Sequence, residues 1–511
     1  MGLFISKEDF AKLRPAFKAE KKTVGLCHGV YDLLHPGHII HFEEAKKQCD
    51  ILVVSVTAED FVRKGPGRPY FDNDLRIKFL CSLAIVDYVT LSENYTAADV
   101  IKAVKPDYYI KGGEYSHPND DITGKIDEET ALAESFGGQA YFTSGAVFSS
   151  TRLLNKNFPV LTPELKEWMA EFGKKYSFGD VKEAVEAFKT LKVLVVGDVI
   201  IDDYTFCSVN GLMSKDRGYS TTYTYQERYL GGALAVARHI AQFSGNVTIC
   251  SAMGNETDIH SLMLNSLSKD MKIDVEYADG ISTIVKQRYI FENEKRDTIE
   301  KLFSVNRLPE RSVYQDLLEA KMIEKLSGVI EGFDLVVIAD FGHGLLTPGL
   351  RDFLQKKSIF TALNCQTNST NYGFNLINKY HRADVFSLDQ KELRLALADN
   401  AQSDEALLLK LWERFGKNSA FLTRGAYGAM AAATASVVIN CPAFTLTVKD
   451  TVGAGDAFFA LAALSAKQGL PPDLSVFLSN MAAALATNIT GNKEAISQAG
   501  VLKYAKTLMN L

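Results

Sequence analysis

The sequence predicts two α/β domains, each a doubly wound parallel sheet, joined by a helical segment. Three observations lead there. At 511 residues the chain exceeds what one compact core holds. Short apolar runs of buried-strand type alternate with segments of helical spacing, the pattern of a parallel sheet covered on both faces. Near each end, a glycine-bearing turn stands before a helix. One is Gly29-Val30-Tyr31-Asp32-Leu33-Leu34-His35-Pro36-Gly37-His38, the other Asp450-Thr451-Val452-Gly453-Ala454-Gly455-Asp456. Such turns present free backbone N–H groups to phosphates. Two of them in one chain imply consecutive steps on a shared intermediate.

Taken in order, Ser6 followed by Asp9 starts a helix over 6–20, resembling a capping box. Strands are expected at 23–27, 51–56, 108–110 and 140–142, with helices at 38–48, 74–83 and 95–104. Together they make a first domain over 1–158. Residues 159–190 hold two amphipathic stretches around Tyr176-Ser177-Phe178-Gly179 and no buried-strand run, so they read as a helical linker. The run Lys192 to Asp198 opens a second domain over 191–511. Its further strands are expected at 246–250, 283–290, 334–339, 383–387 and 419–423, and an Ala/Phe-rich helix follows the last glycine turn.

Composition narrows the function classes. A net charge of −6 gives no electrostatic reason to expect nucleic acid or anionic membrane as a partner. No apolar run reaches the roughly 20 residues that span a bilayer, and the start turns charged within seven residues, unlike a secretory signal. The seven cysteines are scattered with no CxxC pair, as expected of reduced thiols in a cytoplasmic protein.

The first motif leaves a strand at its carboxyl end, where open α/β sheets bind ligands. His35 and His38 project from one helix start and can reach one anion, while Gly29 permits the turn and Gly37 allows close backbone approach. Taken alone, a His-x-x-His is equally a metal pair or two unrelated histidines. Downstream stand Lys64 through Pro69, Arg76, Lys111-Gly112-Gly113-Glu114-Tyr115 and Phe148-Ser149-Ser150-Thr151-Arg152. Together these segments resemble the cytidylyltransferase-like nucleotidyltransferases over about residues 20–155, and within them the nucleotidyltransferase half of the bifunctional heptose-phosphate enzymes. The resemblance implies that a phosphate monoester attacks the α-phosphorus of ATP or CTP and that pyrophosphate leaves. It gives His35 and His38 to the α-phosphate, Lys64 to the triphosphate, and Ser150 and Thr151 to the departing phosphates. Gly29, Tyr31, Asp32, Gly37, Arg76 and Lys111 join the nucleotide site. Asp32 is read either as a nucleotide or metal contact or as an acceptor for backbone N–H groups. Mg²⁺ is expected on the nucleotide.

In the second motif, Asp456 is either a helix cap or a base for a sugar hydroxyl, which is hardly ionised at neutral pH. The segment Asp450–Ala460 resembles the signature of the ribokinase-like (PfkB) sugar kinases, and the resemblance covers about 190–500. It implies a ribokinase-like fold with a small β lid. It assigns Asp456 as base, Gly453, Ala454 and Gly455 to the anion loop, and Thr423, Gly425 and Gly428 to the ATP loop. Asp202, Gly231 and Gly232 fall to the sugar, and Asp389 and Glu392 to Mg²⁺ through water. Three positions depart from the family: Ala235 replaces a sugar-binding Asn, His343 a Lys, and Gln366 lies where a DPK-type strand end is usual.

The resemblance therefore implies a bifunctional enzyme that phosphorylates a sugar or sugar phosphate and makes a nucleotide-activated, heptose-like sugar for surface polysaccharide. Its halves stand in the reverse of the order in the heptose enzymes, and a homodimer is expected. The competing reading keeps the nucleotidyltransferase and makes the kinase fold an inactive scaffold or ligand sensor.

Overall fold

The computed structural model describes residues 2–510 except 63, 65–67, 114–124, 145–160, 269, 293–298, 311–313, 315–316, 417, 433–436 and 446–447. The chain divides into two compact units, Met1–Thr162 with Leu502–Leu511, and Pro163–Val501.

The first unit is built on a six-stranded, wholly parallel sheet. Its strand order is Leu3–Phe4, Tyr88–Ser92, Ile51–Thr57, Val24–Gly29, Tyr108–Lys111, Gln139–Phe142. Successive strands run outward from Val24–Gly29 to one side, then restart on its other side at Tyr108–Lys111. The crevice beyond the carboxyl ends of those two strands is the topological switch point. Val24, Leu26 and Cys27 are buried, as are Leu52, Val53, Val54 and Val56, which explains the unbroken apolar runs. The N-terminal helix spans Lys7–Ala19, and Ser6 Oγ accepts from Asp9 N at 3.0 Å. The strand Tyr88–Ser92 and the helix Lys125–Ser135 were not expected from sequence.

In the second unit, nine strands form one sheet in the order Lys272–Tyr277, Asn246–Met253, Lys192–Gly197, Leu335–Asp340, Phe360–Cys365, Val385–Asp389, Ser419–Thr423, Ala429–Ala432, Val438–Cys441. All neighbours are parallel up to Ser419–Thr423, and the last two pairings are antiparallel. A separate four-stranded sheet, ordered Ile299–Arg307, Ile284–Glu292, Val199–Leu212, Tyr219–Gly232, is the lid. Five main-sheet strands end at one edge, which gathers Asp198, Asp340, Gln366, Asp389 and Thr423.

The segment 159–190 is not a free linker where it is described. Helices Pro163–Lys175 and Phe178–Glu186 pack on the second unit. Trp168 stacks on Phe172 and Phe477 and donates to Asn440 O at 2.8 Å, and Tyr176 Oη donates to Asp473 Oδ1 at 2.7 Å. Their apolar stripes find partners some 300 positions later, a distance over which periodicity carries no information.

Candidate active sites

In the first unit, the strand Val24–Gly29 leads into a turn in which Tyr31 takes φ +48° and then into the helix Pro36–Gln48. His35 is its N-cap residue and Gly37 lies in its first turn. The rings of His35 and His38 stack, centroids 3.9 Å apart and planes at 17°. Burial pushes the affinity of both for protons down, His38 to about 3, with His35 and Lys64 adding to the effect on His38. Both rings are therefore neutral at pH 7, and His38 Nδ1 is buried with no hydrogen-bond partner among the described residues. Burial also lowers the Lys64 ammonium, opposed by Asp32.

Three residues expected at the nucleotide hold protein groups. Asp32 Oδ1 accepts from the backbone N–H of Tyr70 at 2.8 Å and of Phe71 at 3.0 Å, and its Oδ2 lies 3.5 Å from Arg68 Nη1. This is the backbone-acceptor reading, though the N–H groups come from the 68–71 loop. Arg76 is fully buried: its Nη1 donates to Val30 O and Thr57 O, both at 2.8 Å, and its Nη2 to Asn73 Oδ1 at 2.7 Å. It ties the ends of two strands together. Arg76→Leu is expected to cost about 3 kcal/mol by stranding two buried carbonyls, measured by denaturant unfolding. Lys111 Nζ pairs at 3.3 Å with Glu129 Oε2, which also accepts from Tyr109 Oη at 2.6 Å, while Oε1 accepts from Ala97 N at 2.8 Å. Sequence reading missed Glu129, because a carboxylate on an undetected helix looks like any solvated charge. Ser150 and Thr151 lie outside the described residues.

In the second unit, Gly453 takes φ +84° as N-cap of the helix Ala454–Lys467, and a Cβ there would stand 2.2 Å from Asn492 Oδ1. Ala454, Gly455 and Asp456 form the first turn of that helix. It packs against the helices Ala233–Ala241 and Pro472–Ala486 through nearly continuous small and apolar residues. Asp456 is buried, and Gln366 Nε2 donates to its Oδ1 at 3.2 Å. Burial first, then Asp202, pushes its carboxyl up to about 7, against Lys286 and the Gln366 hydrogen bond.

Asp202, on the lid strand Val199–Leu212, acts on the same carboxyl. Its Oδ1 accepts from Arg288 Nη1 at 2.5 Å and its Oδ2 from Asn492 Nδ2 at 3.1 Å. Gly231 is required beside it, since a Cβ there would meet Asp202 Oδ2 at 2.2 Å, and Gly232 is the N-cap of the next helix. Asp450 anchors the turn before the helix Ala454–Lys467 by accepting from Tyr204 Oη, Lys301 Nζ and the N–H groups of Val452 and Gly491. Asp198 accepts from the N–H groups of Phe341, His343 and Leu345, so it shapes the 341–345 loop.

Asp389 and Glu392 form a capping box on the helix Gln390–Leu397. Glu392 N donates to Asp389 Oδ1 and Asp389 N to Glu392 Oε2, each at 2.8 Å, and Thr367 N donates to Glu392 Oε1 at 2.9 Å. Both Glu392 oxygens are committed to backbone. Burial, reinforced by Asp389, pushes its carboxyl up to about 8. No group of three or more His, Cys, Asp or Glu among the described residues is arranged to hold a metal. Thr423 Oγ1 donates to Leu388 O at 3.4 Å, and Gly425 and Gly428 bound a one-turn 3₁₀ helix that closes on Arg424. Ala235 is buried within its helix, and His343 is buried beside a cavity of about 280 Å³ that Asn371 and Phe374 also line.

A protein-family model described as cytidylyltransferase-like matches residues 26–155, and one described as pfkB family carbohydrate kinase matches 364–498. The chain joins a cytidylyltransferase-like domain to a pfkB-type carbohydrate kinase domain. Curated relatives include the bifunctional protein HldE of Acidiphilium cryptum, 35% identical over 137 residues, covering 26% of this chain and 27% of that protein. HldE of Trichlorobacter lovleyi is 32% identical over 164 residues, covering 31% of this chain and 32% of its own length. The chain thus spans about a quarter to a third of the length of these relatives. Among solved structures, a phosphofructokinase-2 variant from Escherichia coli aligns with a TM-score of 0.50 at 16% identity, covering 62% of this chain and 99% of that one. That likeness bears on fold alone. No helix among the described residues is long and apolar enough to cross a membrane.

Proposed function

We propose that the chain is a bifunctional enzyme that phosphorylates a sugar or sugar phosphate with ATP and transfers a nucleotidyl group to a sugar phosphate. The product is a nucleotide-activated, heptose-like sugar for surface polysaccharide. The observation that carries this reading is a matched contrast. Each unit sets a phosphate-type helix N-terminus at the carboxyl ends of parallel strands, with a different side chain for a different attack. In the cytidylyltransferase-like domain the attacking phosphate is already anionic, and the site offers neutral, stacked histidines that donate hydrogen bonds. In the kinase domain the attacker is a hydroxyl, and the site offers a buried carboxylate whose proton affinity is raised to near neutrality.

At the first site, a phosphate oxygen of the sugar bonds to the α-phosphorus as the bond to the bridging oxygen breaks. His35 and His38 steady the α-phosphate oxygens, Lys64 holds the triphosphate, and Ser150 and Thr151 take the leaving pyrophosphate. At the second, the hydroxyl proton passes to Asp456 while the γ-phosphoryl moves to the sugar oxygen, and Gly453, Ala454 and Gly455 cradle the phosphates. Asp202 orients the sugar, and Thr423, Gly425 and Gly428 shape the ATP loop. Mg²⁺ enters with the nucleotide, and the protein is a cytoplasmic homodimer in this reading.

One observation favours the second reading, an inactive kinase fold that acts as scaffold or sensor: Gln366 occupies an oxygen of the proposed base. Incubation with each of the four nucleoside triphosphates and a panel of heptose and other sugar phosphates decides. ADP formation and pyrophosphate release, each with its own acceptor, are expected. Pyrophosphate release with no ADP formation for any acceptor supports the scaffold instead.

A further inference from the structure

Lys286 belongs to no motif, yet its position in the lid is specific. On the strand Ile284–Glu292 it stands directly across from Asp202 of Val199–Leu212. Its Nζ lies 5.9 Å from the centre of the Phe341 ring, in the loop beyond the Leu335–Asp340 strand end. The side chain therefore crosses from the lid to the sheet edge that holds the reaction centre. The charged groups that act on it are Asp202, Arg288, Asp198 and Asp456. Asp202 is taken by Arg288 and Asn492, and Asp198 by three backbone N–H groups. The Lys286 ammonium makes no hydrogen bond or ion pair among the described residues. Burial lowers its affinity for its proton, the three carboxylates opposing this. A partly desolvated ammonium without a partner is costly unless an anion completes it.

We propose that Lys286 is a catalytic residue of the kinase site, donating to an oxygen of the phosphoryl group in flight between ATP and the acceptor hydroxyl. The inference rests on reading the second unit as an active kinase. In that step the acceptor oxygen bonds to the γ-phosphorus, the bond to the β–γ bridging oxygen breaks, ADP departs with the electron pair, and Asp456 receives the hydroxyl proton. Charge then spreads over the equatorial oxygens beside a carboxylate, where one fixed cation stabilises both. A permanent phosphate on the acceptor fits this spot poorly, because Asp202, Asp198 and Asp456 all face it. Only a group resident for the duration of transfer, with Asp456 taking up a proton, avoids that repulsion.

The test uses the full chain with ADP, Mg²⁺ and aluminium fluoride, which mimics the planar phosphoryl, followed by calorimetry. Lys286→Met is expected to weaken the ADP–fluoride complex about 100-fold and leave ADP alone within threefold. Lys286→Arg is expected to restore most of the loss. With acceptor present, kcat for ADP formation falls by a similar factor while the acceptor KM and pyrophosphate release at the other site hold, which also shows that the variant is folded. Equal weakening of ADP and of its fluoride complex, no weakening of either, or a loss confined to acceptor KM overturns the assignment. The parent chain and Asp456→Asn separate the two levels. If the parent chain forms no ADP with any acceptor, the kinase reading fails; if Asp456→Asn is inactive while Lys286→Met is not, only the lysine assignment fails.

Discussion

Asp456→Asn is expected to lower kcat for ADP formation by about 10³-fold, a general-base loss, while pyrophosphate release is unchanged. The same residue sets the pH dependence. Its carboxyl is pushed up to about 7 by burial and by Asp202. The reactive form is the carboxylate, so kcat/KM for ADP formation rises with pH and levels off above about 7. The sign for stability is opposite. The folded state holds this proton more tightly than the unfolded chain, where Asp titrates near 3.8. Stability is therefore highest below the unfolded value, falls as pH rises through 7, and is flat beyond. The penalty at pH 8 amounts to at most roughly 4 kcal/mol. Asn carries no charge, so the inactive variant is expected to melt above the parent at pH 8 and to lose that advantage near pH 4. A variant that is both inactive and less stable at pH 8 contradicts the account of a buried, destabilised base.

The parts of this architecture that were legible in the sequence share one property: their signal is local. The runs at 24–27, 51–54 and 193–197 are free of polar residues because both faces are covered, and that reads directly as parallel strand. The glycine turns are equally local. Of the lid, the local pattern showed only the strand at 283–290, which pairs as Ile284–Glu292; Tyr219–Gly232 is exposed or half-buried along most of its length and carries no apolar run, and the kinase resemblance alone implied a separate lid sheet. Asp389 and Glu392 show a signal read one way when another was present. An acidic residue followed three positions later by Glu, at a strand-to-helix junction, is also the capping-box pattern, and the backbone takes up Asp389 Oδ1 and both Glu392 oxygens. Arg76 and Lys111 illustrate the converse limit. Sequence gives a cation near a phosphate motif but not whether Val30 O, Thr57 O or Glu129 has already claimed it. Lys286 is the hardest case, because it acquires meaning only from a strand register that places it opposite Asp202.

His38→Ala is expected to reduce pyrophosphate release by about 100-fold or more, the cost of one preorganised donor, and to leave ADP formation intact. The argument depends on protonation state. A histidine that worked as imidazolium would bring a pH limb near 6.5, and activity would fall as the proton left. Here burial, with His35 and Lys64 nearby, pushes His38 to about 3, so the free enzyme uses the neutral ring at every working pH. The kcat/KM for pyrophosphate release should then carry no limb from His38 between pH 5 and 8, unlike ADP formation, whose acid limb sits near 7. The two reactions, followed side by side on one sample, should separate as the pH falls to 5. The buried histidines also carry a stability sign of their own. His28, His38 and His41 are all pushed down by burial, so the unfolded chain binds more protons below about 6.5. Their contribution to the cytidylyltransferase-like domain is full above that value and is lost as the pH falls through it toward 4. Acid should therefore weaken this fold while relieving the charge on Asp456 in the other. A pyrophosphate-release profile with an inflection at 6.5 that His38→Ala removes would show instead that the ring works charged.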